Sequence, residues 1–581
     1  MTPPLRFVCS LWLTVATACV AAGCGGSGSA TSDAGGGGGR PGGSGGVATG
    51  GGGSSASGGS SGSGRGGSAS GSGGSLSGGD GSSLGAGGGS DAGFDANLPD
   101  IPGGGDAGVI GTRSAAGFFH PGVIVTQGGL NAIRNRLAAG DAALKQALAA
   151  LAQDLTDAAL PACPGEDSAG RCHLPPTPAA PAGHVTVTCG SHSAAPAGDT
   201  SCDDEKADAL AAYSHALLWY LTQDEAEGQK AIEFLDAWNN VTSHIGYMAS
   251  DNSPLQAGWT GTLWARAAEL IRYTYAQPRF AKGWSDSQAQ AFGKMLTTAI
   301  RPYVNVDITS SADIQNGNWE ASEADAFMQI SVYNDNLADY TLAAKNALAA
   351  MKYYVYLQAD GATPTAGKDV VVCKKNGKKT SGCGVDYWWG IATATGLLDG
   401  TSQETCRDLE HVQYGLGAFA NAAETAAIQQ IPGVDLYGDT TVNYGQRLFA
   451  AFEFHAGILK GRSNFSGDGT TNPDVSLISA PSLAYTCDGL NGFTMMATTS
   501  SVARIAPVDF GSMRRSNYPV QPTWDLAFNH FVNVENKPMP NTQALLVPAG
   551  AFKGNRPTLA SHPLAWETLT KLGTGKIGFP P

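Results

Sequence analysis

Three residues with the chemistry for proton transfer are spaced so that a single helix would align them. Arg407, His411 and Tyr414 stand at positions i, i+4 and i+7, which lie along one helix face over about two turns. A guanidinium neutralises an anion, an imidazole titrates near neutrality and a phenol can carry a proton. Proton abstraction beside a carboxylate needs this combination. The alternative is a solvent-exposed face that happens to carry these residues.

A helix over about 402–427 would have to hold these residues in place. Thr401 followed three residues later by Glu404 is a capping-box pattern, which predicts a helix start near Ser402. Apolar residues recur on the opposite face at helical spacing, so this face should pack into the core. They are Leu409, Val412, Leu416, Phe419 and Ala423.

A second group of candidates precedes a predicted helix at about 318–333. The segment 315–320 reads QNGNWE, and exposed backbone N–H groups make a helix N-terminus a natural site for a carboxylate. Gln315 and Asn316 could donate hydrogen bonds to that carboxylate, and Gly317 would allow close backbone approach. Alternatively, Asn316 or Asn318 merely caps the helix.

Residues near two helix starts could form sugar subsites. Trp319 could stack on a sugar ring, with Glu320 beside it as a further contact. Gln256 and Trp259 open another predicted helix and could form further subsites. Core packing is the alternative for both tryptophans.

The N-terminus has the pattern of an export signal. Arg6 precedes an apolar stretch at 7–20, and small residues lead to Cys24. The stretch is too short for a comfortable membrane span. The small residues before Cys24 resemble a lipoprotein processing site, so we expect a signal peptide at 1–24 and lipidation of Cys24, which would place the chain on the outer membrane or cell surface. Conventional cleavage, giving a periplasmic or secreted protein, is the alternative.

Residues 25–110 are almost wholly Gly, Ser, Ala and Asp, a composition that cannot bury a core. Such a linker of about 86 residues has an end-to-end reach of roughly 50 Å. The sequence therefore predicts a disordered tether followed by one folded domain at 111–581.

The folded part is acidic. From residue 107 onward it has 32 basic and 43 acidic residues, a net charge of −11. There is no basic run to bind nucleic acid, although a local cleft lined by Arg and Lys can still attract an anion. Motifs typical of metal or phosphate binding are also missing from the sequence, so we expect no cofactor.

The folded part contains an even number of cysteines, which in an exported protein suggests disulfides rather than a metal site. The preferred pairs are 163–172, 189–202 and 373–383, leaving 406 with 487, although pairing cannot be deduced from sequence. The cysteines are Cys163, Cys172, Cys189, Cys202, Cys373, Cys383, Cys406 and Cys487.

Helical patterns dominate the folded part and fit repeated antiparallel pairs of an all-α barrel. Alanine-rich stretches permit close helix packing. After about Val475 the periodicity fades into shorter segments with possible strands, a tail that could close over one end of the barrel. Candidate helices cover about 127–138, 141–158, 204–222, 225–239, 255–276, 285–300, 318–333, 336–355, 402–427 and 441–460.

The run CRDLEHVQYGLGAFANAAE at 406–424, followed by VDLYG, resembles the signature region of the alginate lyase family of polysaccharide lyases. The likeness covers about residues 117–575. Further matches follow in the family's order: HPG at 120–122, VTCG at 187–190, DALAAYSHALLWYLT at 208–222, LQAGWTGTLWARAAELIRYTY at 255–275, NGNWE at 316–320, FNHF at 528–531 and PMPNTQ at 538–543.

The resemblance implies a mainly α fold, an incomplete α/α toroid, that acts without a metal. It implies cleavage of a 4-linked uronic-acid polymer, by default alginate, by β-elimination. Tyr414 would abstract the proton, His411 would assist it and Arg407 would help to neutralise the substrate carboxylate. Where the better-known branch of the family has an Asn-His pair, this chain has no histidine, so Asn316 or Gln315 would take over that role.

Asn529 and His530 match a late Asn-His-aromatic run of the same family, and they could return to the cleft. A structural histidine with satisfied hydrogen bonds is the alternative for His530.

Two other functions fit parts of the sequence. A glycoside hydrolase needs two carboxylates roughly 5–9.5 Å apart, for which Glu320, Glu404 and Asp408 are the tempting acids. A non-catalytic glycan-binding protein on the same fold would explain the missing histidine. In each case we expect a monomer that binds an anionic polysaccharide.

Overall fold

Helices form most of the regular structure, and their bounds follow the sequence pattern closely. The computed structural model describes residues 101–163, 171–179, 185–189, 199–246, 253–305, 317–361, 373–375, 378–380, 398–405, 409–459, 486–487, 503–504, 521–546, 564–577 and 579. All of them belong to one compact unit, Gly85–Pro581. The predicted signal peptide and nearly all of the linker, with Cys24, lie outside the described residues, so these domain boundaries stay predictions.

The described α-helices are α1 (Gln127–Ala138), α2 (Ala142–Thr156), α3 (Ser201–Thr222), α4 (Glu225–Ala237), α5 (Ser253–Thr274), α6 (Asp286–Met295), α7 (Arg301–Val304), α8 (Asn318–Tyr333), α9 (Leu337–Tyr354), α10 (Leu409–Gln429), α11 (Tyr444–Leu459), α12 (Thr523–Phe528), α13 (Pro540–Leu546) and α14 (Glu567–Lys571). Short π-helical turns at Leu296–Ile300 and Asn529–Val534 continue α6 and α12.

Strands are few and short in the part of the chain that the structure describes. Antiparallel pairs are formed by β1 (Thr112–Arg113) with β2 (Phe119–His120), β5 (Cys373–Lys375) with β6 (Lys378–Thr380) and β7 (Thr486–Cys487) with β8 (Ala503–Arg504). A parallel pair joins β3 (Thr186–Cys189) to β4 (Ser243–Gly246), with Thr186 opposite Ser243.

Short connections make consecutive helices antiparallel. Between α3 and α4 the chain has only Gln223, in the left-handed conformation, and Asp224, whose side chain accepts from the N–H of Ala226. Between α8 and α9, Asn336 accepts from the N–H of Asp339. These side chains satisfy the N–H groups that a helix start leaves unpaired.

The helices are arranged as an inner row covered by an outer row. The inner helices α3, α5, α8 and α10 pack successively against one another. On the outside, α4 packs against α3, α9 packs against α8, and α11 packs against α10. From α10 the contacts continue through α12, α14 and α1 back to α3. This is the arrangement of an α/α toroid, and the predicted mainly α fold class is confirmed.

Small residues bring the inner helices close together, as the sequence predicts. A Cβ atom on Gly258 of α5 would lie 3.0 Å from the backbone carbon of Ser322 in α8. One on Gly261 would lie 2.8 Å from Ile300. Because the inner helices are covered on nearly every side, polar side chains that point inward must be satisfied by one another.

The C-terminal segment that contains α14 fills the interior. The indole N–H of Trp566 donates to Ser214 of α3 at 2.9 Å. Arg266 of α5 donates to Glu567 at 3.1 Å and to Gln329 of α8 at 3.2 Å, and both ion-pair partners are fully buried. Burial raises the pKa of Glu567, against the opposing effect of Arg266. The tail therefore lies between the inner helices.

Two of the preferred disulfides are confirmed: Cys163–Cys172 and Cys189–Cys202. For Cys373 and Cys487 the structure describes only the backbone, and positions 383 and 406 lie outside the described residues. The other two pairings therefore stay predictions.

One helix start differs from the prediction. Residues 401–405 form a turn, in which Ser402 pairs with Val355, and the described helix α10 begins at Leu409. None of the helices described here is long and apolar enough to cross a membrane.

Replacing Arg266 with Met should lower the free energy of unfolding by about 3–5 kcal/mol, because Glu567 would be left buried without its counter-charge. Urea denaturation followed by circular dichroism measures this change. Lys230→Met is the control, since the Lys230–Glu233 pair is well exposed and should cost at most about 1 kcal/mol. Similar losses in both variants would contradict the assignment.

Candidate active site

A buried aromatic group surrounds Tyr414 where α5, α8, α10 and the C-terminal segment meet. Tyr414 is 1% exposed. Its ring meets His411 edge-on, with centroids 5.8 Å apart, and it meets Trp259 in the same way at 5.6 Å. The group is completed by Leu255, Leu564 and the partly buried Trp319. We call these six residues the Tyr414 site.

The burial of Tyr414 follows from the position of α10 in the inner row. Val412, Leu416, Phe419 and Ala423 are buried, as the sequence predicts. The opposite face of α10, however, is also covered at Tyr414. The alternative interpretation, a solvent-exposed face, is therefore wrong for this residue. His411, one turn earlier, is half-buried. Position 407 lies outside the described residues, so the alignment of Arg407 with them stays a prediction.

Helix α5 contributes two of the predicted sugar-binding residues. Trp259 is 7% exposed, and its indole N–H donates to Ser322 of α8 at 3.1 Å, so it packs as a core residue and also forms a wall of the site. Gln256 is equally buried. Its side-chain oxygen has no hydrogen-bond partner among the described residues, which leaves one acceptor for a donor from elsewhere.

The start of α8 is bound by Glu404. The backbone N–H of Asn318 donates to one carboxylate oxygen of Glu404 at 3.1 Å, and the Asn318 side chain donates to the other at 2.8 Å. Glu404 therefore satisfies the N-terminus of α8, and the predicted capping box with Thr401 is wrong. The cap position of α8 is Gly317, at φ 67°. Neighbouring positions 315 and 316, and thus Gln315 and Asn316, lie outside the described residues.

Tyr354 was not singled out from the sequence, yet it connects these elements. Its hydroxyl donates to Glu404 at 2.8 Å and lies 3.4 Å from the backbone oxygen of His411. Fifty residues separate Tyr354 from Glu404, and neither belongs to a local motif that would pair them. Only the packing of α9 against the turn 401–405 brings the two together.

Two glutamates of α8 are buried without full pairing. Burial raises the pKa of Glu320 well above its usual value, and the charge of Glu323 adds to the effect. Burial alone raises the pKa of Glu323 well above its usual value. Each has one oxygen with no hydrogen-bond partner among the residues that the structure describes. Both carboxyl groups therefore keep their protons to a higher pH than an ordinary glutamate does.

Asn529 and His530 lie in a different cluster. The ring of His530 stacks on Tyr437, and one ring nitrogen lies 3.7 Å from Glu424. Burial lowers the pKa of His530, but Glu424 and Glu535 outweigh it and raise that pKa above its usual value.

Asn529 binds the C-terminal segment through the N–H of Gly575 at 2.9 Å and through Thr574 at 3.2 Å. Glu424 is ten residues from Tyr414 on the same helix, a distance of roughly 15 Å. The structure thus places His530 in the core, as the alternative had it, and does not bring it or Asn529 to Tyr414.

The geometry can support proton transfer beside a sugar. A phenol and an imidazole lie in contact, aromatic rings flank them and a buried amide oxygen lies on the adjoining helix. Within the described residues there is no group of three or more side chains that could hold a metal ion.

The solved structures that this chain is similar to include alginate lyases. Alginate lyase A1-III from Sphingomonas species A1 is 16% identical over 57% of this chain and 77% of its own, with a TM-score of 0.34. A variant of alginate lyase A1-III complexed with tetrasaccharide is 16% identical over 60% of this chain and 84% of its own, with a TM-score of 0.36.

A third such structure, an alginate lyase from Bacteroides ovatus, is 12% identical over 77% of this chain and 99% of its own, at 0.40. No protein-family model matches the chain, and no curated protein does. The structural neighbours belong to the family that the sequence motifs resemble.

Trp259→Ala should lower the free energy of unfolding by about 3–5 kcal/mol, because it leaves a cavity between α5 and α8 and removes the bond to Ser322. Trp319→Ala should cost clearly less, since Trp319 is only partly buried. Urea denaturation compares the two, with the fully buried Trp238→Ala as the benchmark. Equal losses at Trp259 and Trp319 would show that exposure does not separate them.

Glu323→Gln should reduce the loss of stability on going from pH 5 to pH 8. The folded state holds the Glu323 proton more tightly than the unfolded chain. Its contribution is therefore full below the ordinary glutamate pKa and falls as pH rises above it. Urea denaturation of wild type and variant at both pH values isolates the contribution of Glu323 to the pH dependence of the free energy of unfolding. Identical changes in the two proteins would mean that Glu323 titrates normally.

Proposed function

We propose that this protein is a polysaccharide lyase that cleaves a 4-linked uronic-acid polymer by β-elimination. The observation that carries the proposal is the contact between Tyr414 and His411 in a site walled by Trp259 and Trp319. In this proposal Tyr414 is the base and His411 supports it, and the neighbouring tryptophans are aromatic surfaces of the kind that sugar rings contact.

The reaction begins with neutralisation of the substrate carboxylate at C6, which acidifies the hydrogen at C5. Tyr414, as the phenolate, removes this proton, and His411 stabilises the phenolate before the transfer. The electron pair forms the C4–C5 double bond as the bond from C4 to O4 breaks. The proton then passes from Tyr414 to the leaving oxygen. The products are a new non-reducing end with a 4,5-unsaturated uronate and a shortened chain.

In this proposal Asn316 or Gln315 neutralises the substrate carboxylate with help from Arg407. The N–H of Asn318 is not free for this purpose, because it donates to Glu404. Glu320 fits a different role, since its raised pKa favours the protonated carboxyl and a protonated carboxyl donates a hydrogen bond. Gln256 supplies an acceptor for a sugar hydroxyl.

Alginate is the default substrate, because the motifs that the chain shares with the alginate lyase family run from the N-terminal part of the folded domain to its end. The proposed reaction requires a 4-linked uronate, whose carboxylate is attached to the carbon that loses its hydrogen. Mannuronate, guluronate and glucuronate polymers all meet this requirement.

The hydrolase alternative is less well supported. It needs two carboxylates facing across a sugar, and Glu404 is instead bonded to Asn318 and Tyr354 within the protein. A non-catalytic glycan-binding protein would need the same aromatic walls but no base, so loss of the Tyr414 hydroxyl would leave its binding unchanged.

We further propose that the protein is exported and held at a membrane surface by a lipid on Cys24, with the Gly/Ser-rich segment as a spacer. The two disulfides support an oxidising compartment. Mass spectrometry of the N-terminal peptide of the mature protein distinguishes a lipidated Cys24 from conventional cleavage.

Tyr414→Phe should lower the rate of unsaturated-product formation by about 10²–10⁴-fold, because the variant keeps the ring but has no proton carrier. The ultraviolet absorbance of the conjugated product is followed on alginate, polymannuronate, polyguluronate, glucuronan, hyaluronan and pectate. Tyr356→Phe is the matched control, since its hydroxyl donates to Gly361, away from α10, and its activity should equal that of wild type.

New reducing ends without absorbance would identify a hydrolase. Binding without either signal would identify a glycan-binding protein. A Tyr414→Phe variant as active as wild type would remove Tyr414 from the mechanism.

A further inference from the structure

The carboxylate of Glu404 connects three elements that are distant in sequence. It accepts from the backbone and side chain of Asn318, at the start of α8, and from the hydroxyl of Tyr354, at the end of α9. Glu404 is 3% exposed and lies in the turn that leads to α10. We call Glu404, Asn318 and Tyr354 the Glu404 junction.

The junction reaches the helix that carries Tyr414. The hydroxyl of Tyr354 lies 3.4 Å from the backbone oxygen of His411. It also lies directly against α10, because a Cβ atom on Gly415 would be 2.2 Å from it. Gly415 is the residue after Tyr414, so any larger side chain there would push Tyr354 away from the helix.

A second glycine allows the other side of the junction to close. Gly317 has φ 67°, and a Cβ atom there would be 2.7 Å from a carboxylate oxygen of Glu404. Any other residue would be strained in this conformation and would also collide with the carboxylate. Gly317 and Gly415 thus flank the junction on its α8 and α10 sides.

The turn that presents Glu404 is itself held firmly. The N–H of Gln403 donates to the backbone oxygen of Tyr354 at 2.7 Å. The Thr405 hydroxyl lies 2.9 Å from a ring nitrogen of His455 on α11. The negative charge of a carboxylate is also favoured at the positive end of a helix, here α8. Glu404 is therefore built into the fold at a defined position.

We propose that Glu404 and Tyr354 are positioning residues. They fix the start of α8 relative to the backbone of α10. They thereby set the distance between Tyr414 and the start of α8, beside which the substrate carboxylate would bind. This inference rests on the proposed lyase function. Neither residue takes part in proton transfer. Their effect is exerted through Asn318 on one side and through the backbone at His411 and Gly415 on the other.

Loss of the junction should therefore act on the chemical step. Misplacement of a reacting group by about 1 Å can cost 10²-fold in rate. We expect kcat to fall about 10-fold to 100-fold in Tyr354→Phe and in Glu404→Gln, with KM changed by no more than about twofold. Because both variants break the same junction, the double variant should be little worse than either single one.

The experiment compares wild type, the two single variants, the double variant and Tyr356→Phe on the polymer that wild type cleaves fastest. Steady-state kinetics are combined with thermal unfolding and with hydrogen exchange of peptides that cover 317–322 and 411–416. Exchange in both peptides should quicken in Tyr354→Phe and stay unchanged in Tyr356→Phe. If Glu404→Gln does not fold, Tyr354→Phe, which adds neither volume nor charge, decides the question.

The outcomes separate the two proposals. A wild type that cleaves and a Tyr354→Phe variant with lower kcat, unchanged KM and faster exchange support the junction. A Tyr354→Phe variant that only melts earlier, with kcat unchanged, overturns the positioning role and leaves the lyase assignment intact. A wild type that forms no unsaturated product from any polymer overturns the proposed function, and the catalytic meaning of the junction with it.

Discussion

The enclosure of the inner helices on nearly every side is the constraint on which the rest of the structure depends. A helix in this position cannot turn its polar residues to water, so each polar group needs a partner inside the protein. Arg266 meets Glu567, Asn318 meets Glu404, and Trp259 meets Ser322. The same enclosure removes water from Tyr414, which strengthens electrostatic interactions around a reacting group.

The sequence predicts the helices well where local signals agree with packing. The bounds of α1 match because periodicity and a local end signal coincide there: the side chain of Thr126 accepts from the N–H of Gly129. The predicted start of α10 is wrong because local signals and packing disagree there. Thr401 and Glu404 carry a local capping pattern, but three hydrogen bonds from Asn318 and Tyr354 draw Glu404 to another helix.

The candidate site is predictable only in part. The spacing of His411 and Tyr414 indicates that they share a face, and their ring contact agrees with it. Contacts such as Tyr354 with Glu404, or Leu564 beside Tyr414, depend on tertiary packing across tens to hundreds of residues, which spacing does not encode. His530 shows that a motif can also mislead. Its resemblance to a family motif predicted a place in the cleft, but the residue lies in the core beside Glu424.

The C-terminal segment has a consequence for the order of events at the ribosome. Lys571 donates to the backbone oxygen of Ile124 and, at 2.5 Å, to Glu424, so residues near the two ends of the domain share one buried contact. Earlier helices emerge first and can pair locally, but the interior stays unfilled until residues 564–577 are synthesised. A nascent chain can therefore complete this interior only after the segment that carries Lys571 has emerged.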